Sequence, residues 1–190
     1  MAIKKPTQVI TETEAQYGYL KGKAKWAKVL EPDDYGKFSV NLYPDQEDLE
    51  KYAEMFESIS EAAKIEVEDK NKKVSGLADI VKEDDEGNYF FSFKLPAEGY
   101  NGTANKIDMY DAGGNKVEEW DKLVGNGSLV KVKFQARPYY MNSTKMVGTS
   151  LKFYAMQVIN LVQYSAGGDS GFGDETSADS GFDLAEDVPF

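Results

Sequence analysis

The sequence predicts a mainly β fold: a small five-stranded barrel with one inserted α-helix, followed by a disordered acidic C-terminal tail. Three observations predict it. Short runs of alternating apolar and polar residues recur along residues 1–164. One apolar stripe at helical spacing interrupts them. After Tyr164 the composition shifts abruptly to Gly, Ser and Asp. The expected organisation is therefore a folded body over 1–164 and a tail over 165–190 that cannot bury enough apolar surface to offset its ordering entropy.

Residues 17–30 form a long alternating stretch, closed by the turn signal Glu31-Pro32-Asp33-Asp34. Its inner face is open on sequence grounds: Trp26 is core in one register and a stacking platform in the other. Residues 37–43 alternate clearly, with Phe38, Val40 and Leu42 on one face. Pro44-Asp45 opens a helix running to about Lys64. Pro suits the first helical position, and Asp45, Glu47 and Asp48 favour the positive end of the helix dipole. Leu49, Tyr52, Ala53, Phe56, Ile59 and Ala63 make the stripe that lies on the barrel, and the opposite face is acidic. Residues 65–86 read as a charged insertion with a short apolar element at 77–81. Strands follow at 88–95 and 106–110, with a Gly-bearing hairpin turn over Asp111–Asn115 and a second turn at 125–127. Strands at 129–137 and 150–162 close the body. Pro138 ends the first of these, which places Tyr139 and Tyr140 in a loop at the mouth of the barrel.

Composition narrows the chemistry. The chain has no His and no Cys, which removes the commonest general base and the commonest zinc ligands. No cofactor is expected. The N-terminal Met1–Pro6 carries no signal-peptide run, and no stretch approaches the roughly 18 apolar residues of a membrane span.

The net charge of −11 argues against a nucleic-acid partner, but its distribution does not. Seven acids and no base lie in 165–190, leaving a body of 22 basic and 26 acidic residues. Within that body, residues 1–30 hold six Lys against two Glu, and residues 122–163 hold five Lys and Arg137 against no acid. Binding a single strand requires a positive groove for phosphates and flat side chains for unstacked bases. Alternation places Lys131, Lys133 and Arg137 on one solvent face, followed by Tyr139, Tyr140 and Lys145. Lys152 and Tyr154 continue on the next strand. Lys23, Lys25 and Trp26 lie on the first strand, where Lys21, Lys23 and Lys25 alternate with smaller residues. Basic residues interleaved with aromatics on neighbouring strands are the way an OB-fold binds a strand, so the body is expected to be OB-fold-like.

Two other classes compete with this reading. A carboxylate-dependent nuclease would use Asp84, Asp85 and Glu86, or Asp108 and Asp111, as metal ligands. Those acids sit in turn-like segments without a convergent partner, so the expectation is a non-enzyme. A structural or adaptor β-domain with a docking tail explains the barrel and tail, but not the Tyr pair beside basic faces.

The chain resembles the single-stranded DNA-binding replication proteins of tailed phages. The resemblance runs through Tyr17-Gly-Tyr-Leu20, Tyr35-Gly-Lys-Phe-Ser-Val-Asn-Leu42, the helix, Phe91-Ser-Phe-Lys94, Leu129-Val-Lys-Val-Lys-Phe134 and Arg137-Pro-Tyr139. It implies Lys94, Lys133 and Tyr139 as DNA contacts, with Tyr35 beside them. The tip Asp187-Val188-Pro189-Phe190 is also similar to the tail of bacterial single-stranded DNA-binding proteins, so Glu186, Asp187, Val188, Pro189 and Phe190 are the expected partner-docking residues. The resemblance further implies DNA replication, recombination, repair and annealing in the cytoplasm of an infected bacterial host. It implies a homodimer and recruitment of DNA polymerase or helicase-primase through the tail. The 65–86 segment and the net −4 of the body depart from a plainly basic binder.

Overall fold

The computed structural model describes residues 15–163. The element order is β1 (Gln16–Lys28), β2 (Lys37–Tyr43), α1 (Gln46–Asp69), β3 (Gly76–Leu77), β4 (Lys82–Glu83), β5 (Tyr89–Pro96), β6 (Asp108–Tyr110), β7 (Lys116–Val117), β8 (Leu129–Met141) and β9 (Met146–Asn160).

Five strands close into a ring. β1 pairs antiparallel with β2 and with β8, β2 with β5, and β8 with β9. A parallel contact between Lys94 of β5 and Lys152 of β9 closes the circle. This is the five-stranded barrel of an OB-fold. The hairpin β6–β7 adds to the outer edge of β9 through parallel pairing of β6, and β4 folds back on β5.

Alternation decides what is inside. Leu20 and Ala24 of β1, Phe38, Val40 and Leu42 of β2, Phe91 and Phe93 of β5, and Val130, Val132 and Phe134 of β8 are all buried. That fixes the register left open above: the lysines of β1 point outward and Leu20 points inward. Two glycines of β1 follow from close approach. A Cβ on Gly18 would meet the Phe134 ring at 2.7 Å, and one on Gly22 would meet the Tyr43 carbonyl oxygen at 2.6 Å.

Helix α1 plugs one end of the ring. Asp45 caps it by accepting the Asp48 N–H at 2.8 Å. Phe56 drives its ring edge-on against Phe91 and Phe134, at centroid distances of 5.2 and 5.5 Å. The helix continues past Lys64 to Asp69 because Val67 joins Ala63, Tyr140 and Val147 in a small second core.

The final hairpin departs most from the sequence reading. β8 runs through Pro138 to Met141, and β9 begins at Met146, so Tyr139 and Tyr140 are strand residues rather than loop residues. Past Ala136 no β1 residue pairs with β8 among the described residues. Pro138 thus sits on an edge, where its missing N–H costs no ladder bond on that side.

Candidate nucleic-acid interface

The outer surface of β1, β8 and β9 carries the chemistry. Cross-strand pairs put Tyr19 beside Lys133 and Lys21 beside Lys131, and place Lys133 beside Ala155 and Lys131 beside Gln157. β6 extends the surface by setting Tyr110 beside Gln157. The result is a concavity of about 490 Å³ lined by Tyr19, Tyr110, Gly114, Lys131, Lys133, Ala155 and Gln157. Tyr19 is 59% exposed. It is nonetheless fixed from behind, because the Tyr52 hydroxyl of α1 donates to the Tyr19 carbonyl at 2.8 Å. The Lys133 ammonium stands 5.9 Å from the Tyr19 ring centre.

The far wall is held by its own bonds. In β6–β7, Lys116 pairs with Asp108 at 3.2 Å. The Asp111 carboxylate accepts the Asn115 N–H at 2.9 Å, which holds its carboxyl below the usual range. The Gln157 amide donates to the Ala112 carbonyl at 3.2 Å and so ties the hairpin to β9.

Beside the concavity, one buried amide orients two rings. Gln135 donates from Nε2 to the Tyr17 hydroxyl at 3.0 Å, and its Oε1 accepts from the Tyr154 hydroxyl at 3.1 Å. The two rings stand 6.3 Å apart and tilted by 36°. Tyr154 also carries the Lys152 ammonium 5.0 Å from its ring centre. With both ends of its amide engaged, Gln135 fixes the two rings before any ligand arrives.

The sequence-derived residues divide accordingly. Lys131, Lys133, Lys152 and Tyr154 converge on this face. Lys23 and Arg137 are exposed on the same outward side of β1 and β8. Lys94 meets Lys152 across the closing seam. Tyr139 is half-buried and packs the phenol end of its ring against Gly148, where an added Cβ would meet it at 2.6 Å; burial pushes its hydroxyl pKa up. Tyr140 is corrected outright. It is 1% exposed and its hydroxyl donates to the Lys73 carbonyl at 2.8 Å, so its ring has no face to offer. Lys145 sits in the β8–β9 turn with φ of +59°. Eight residues separate Lys133 from the end of β8, about 26 Å at 3.3 Å per residue, so Lys145 is remote from the concavity.

Lys25 is diverted. Its ammonium pairs with Asp84 at 3.4 Å and Glu86 at 3.6 Å and lies over the Tyr43 ring. Asp84 accepts backbone N–H groups from Asn88 and Glu86. The Asn88 backbone bond above all, aided by Tyr43, holds its carboxyl down at about 2. Burial and Asp84 push the Tyr43 hydroxyl up to about 12. Asp84 and Asp111 thus each organise their own turn, and among the described residues no group of three potential ligands converges on a metal position.

Trp26 is 66% exposed with φ of +55°. It occupies a β-bulge: Lys25 pairs with Asn41 and Lys28 with Ser39, so β1 spends three steps on two of β2. Such a backbone costs roughly 1–3 kcal/mol for a bulky residue. Asn126 helps to hold it by accepting the Trp26 N–H at 2.8 Å. Tyr35 is exposed at the tip of a turn in which Asp33 accepts two backbone N–H groups. The docking residues Glu186, Asp187, Val188, Pro189 and Phe190 lie outside the described residues.

The sequence reading missed Tyr17, Tyr19, Tyr110, Gln135 and Gln157 as site residues. Tyr17 and Tyr19 are in phase with Lys21 and Lys23, a signal that becomes usable once Leu20 is known to be inside. Tyr110 and Gln157 carry no local signal; strand pairing alone unites them.

No protein-family model and no curated protein sequence matches the chain. Solved structures do. The chain is similar to gp2.5, a single-stranded DNA-binding protein encoded by bacteriophage T7, with TM-score 0.61 and 20% identity over 93% of this chain and 100% of that chain. The two share a fold. A second similar structure is the single-stranded DNA-binding protein from bacteriophage Enc34, with TM-score 0.49 and 15% identity over 85% of this chain and 89% of that one.

Proposed function

We propose that this chain is a non-catalytic single-stranded DNA-binding protein that coats and protects strands during phage DNA replication, recombination and annealing. One observation carries the reading: four tyrosines and four lysines share one continuous outer face. Tyr17, Tyr19, Tyr110 and Tyr154 supply base-stacking surfaces, and Lys21, Lys131, Lys133 and Lys152 supply phosphate contacts. None of the four lysines forms an ion pair among the described residues. Of the carboxylates on the β6–β7 wall, Asp108 is paired with Lys116 at 3.2 Å, and Asp111 is engaged by the backbone and side chain of Asn115. The fold shared with T7 gp2.5, itself a single-stranded DNA-binding protein, supports the same reading.

The segment 165–190 carries seven acids and no base, and in this reading it acts as a polyanion tethered to the body. A tether of about 25 residues gives millimolar effective concentration, so the segment competes with DNA at low salt. DNA binding then frees Phe190 and its neighbours to recruit DNA polymerase or helicase-primase. The resemblance to tailed-phage proteins supports this role, a homodimer, and action in the cytoplasm of the infected host.

Titration with poly-dT tests the core of the proposal. Saturable binding at low salt, with no strand cleavage when Mg²⁺ is added, is the expected result. Absence of binding at low salt rejects it.

A further inference from the structure

Gln135 lies in the outward phase of β8, between the core residues Phe134 and Ala136, yet it is only 6% exposed. Its strand partners are Tyr17 on β1 and Lys152 on β9, and directly paired residues share one side of a sheet. The hydroxyl ends of Tyr17 and Tyr154 close over it. Tyr154 reaches that place through a β-bulge. Lys133 pairs with Ala155 and Phe134 with Phe153, so β9 sets three residues against two of β8. The bulge keeps both Tyr154 and Ala155 on the outer side, where strict alternation would turn one of them inward.

The two bonds that satisfy the amide run in one direction. The Tyr154 hydroxyl donates to Gln135 Oε1 at 3.1 Å, and Gln135 Nε2 donates to the Tyr17 hydroxyl at 3.0 Å. A phenol both donates and accepts, but it has a single proton to give. Tyr154 has used its proton, whereas Tyr17 has used a lone pair and keeps its own. Among the described residues no acceptor takes the Tyr17 proton, and Tyr17 is open to solvent. Each bond in such a chain polarises the next, so the Tyr17 hydroxyl is strengthened as a donor to an incoming acceptor. A cation lies beside the same pair of rings. The Lys152 ammonium stands 5.0 Å from the Tyr154 ring centre, which is 6.3 Å from that of Tyr17. Lys152 forms no ion pair among the described residues. A free O–H donor near a free ammonium suits an anionic oxygen, and Tyr hydroxyls are among the usual donors to phosphate.

We propose that Tyr154, Gln135 and Tyr17 form a one-way hydrogen-bond relay that ends on a phosphate of the bound strand. The Tyr17 hydroxyl is the donor, the Lys152 ammonium is its charged neighbour, and Gln135 is the positioning residue that sets the direction. The inference rests on the proposed function and adds a task for the hydroxyl to the stacking task of the ring. Stacking alone is indifferent to the hydroxyl, because a phenyl ring offers a base the same flat face. The relay is not, because it ends on that proton.

The test measures binding of a labelled dT oligonucleotide by anisotropy over a salt series, with every variant made in the full-length chain. Tyr17→Phe keeps the ring and removes the last donor. It should weaken binding roughly tenfold, by the same factor at every salt concentration, because a neutral donor releases no counterion. Lys152→Met should instead flatten the salt slope by about 0.7. Tyr154→Phe and Gln135→Leu interrupt the relay upstream. Each should weaken binding by itself and lose most of its effect in the Tyr17→Phe background, a coupling in DNA affinity that a purely structural amide would not show. If Gln135→Leu fails to fold, Tyr154→Phe and Tyr17→Phe complete the cycle without it. Unchanged affinity of Tyr17→Phe, or additive losses in the double variants, overturns the relay. A larger loss from Tyr154→Phe than from Tyr17→Phe means that the bonds run the other way, and overturns it as well. The underlying function is judged separately: if the unaltered chain fails to bind dT at low salt, the proposed function fails and the relay falls with it, whereas binding that ignores Tyr17→Phe removes the relay alone.

Discussion

Lys133→Met removes one charge from the concavity while preserving most of the apolar stem that lies against Tyr19. Lys133 is exposed and forms no ion pair among the described residues, so the fold should tolerate the change. If Lys21, Lys131, Lys133 and Lys152 each neutralise one phosphate, log K for a short single strand falls against log salt with a slope of about −2.8. The variant retains three contacts and a slope of about −2.1. From about 50 to about 200 mM salt, the wild type should lose roughly 50-fold in affinity and the variant roughly 18-fold. The deficit of the variant is about 8-fold at the lower salt and about 3-fold at the higher, vanishing near 1 M. The exposed cation–π contact with Tyr19 is already present in the free protein, so its loss bears on stability and leaves the slope difference intact. Anisotropy of a short labelled dT oligonucleotide over a salt series measures both lines. Parallel lines would refute the placement of Lys133 against a phosphate, whatever the change in absolute affinity.

Other perturbations separate binding from folding. Tyr19→Ala should cost roughly 1–3 kcal/mol of single-strand affinity, largely independent of base, with the melting temperature nearly unchanged; a normal affinity would remove Tyr19 from the site. Tyr140→Phe should do the reverse: it leaves the Lys73 carbonyl without its bond, costs about 1 kcal/mol of stability in a denaturant titration, and leaves DNA affinity alone. Asp84 has its folded pKa depressed to about 2 from 3.8, so it stabilises the fold above the unfolded value, and that contribution fades as pH falls from about 4 toward about 2. Asp84→Asn should therefore be less stable at neutral pH and show a flatter acid dependence across that window; acid profiles of identical shape would contradict the assignment. Removing residues 165–190 should tighten DNA binding at low salt, with the two proteins converging at high salt, and equal affinity at low salt would end the competition model.

Much of the body is legible in the sequence because local pattern and tertiary demand agree. Phe38, Val40 and Leu42 alternate in a strand buried on one face, and Pro44-Asp45 announces the helix, although Asp45 is its cap and Pro44 lies just before it rather than in its first turn. Lys131 and Lys133 are readable for the same reason: Val130, Val132 and Phe134 between them can only point inward. The failures arise where a distant segment overrules the local signal. Pro138 reads as a strand end, but β8 there has β9 on only one flank and tolerates it. Tyr140 reads as a loop aromatic until Ala63 and Val67 of α1 cover it. Lys25 is in phase with Lys21 and Lys23, yet the β4–β5 turn brings Asp84 and Glu86 to neutralise it. Tyr110 and Gln157 become neighbours of Tyr19 and Lys131 only through the pairing of β6 with β9.

Backbone amide chemical-shift mapping with a short dT oligonucleotide tests the central claim most directly. Binding should perturb Tyr17, Tyr19, Lys131, Lys133, Lys152, Tyr154 and the β6–β7 hairpin at low salt, and should leave the exposed acidic face of α1 unmoved. Saturable shifts centred on α1, or an absence of shifts on β1, β8 and β9 under saturating DNA, would contradict the account.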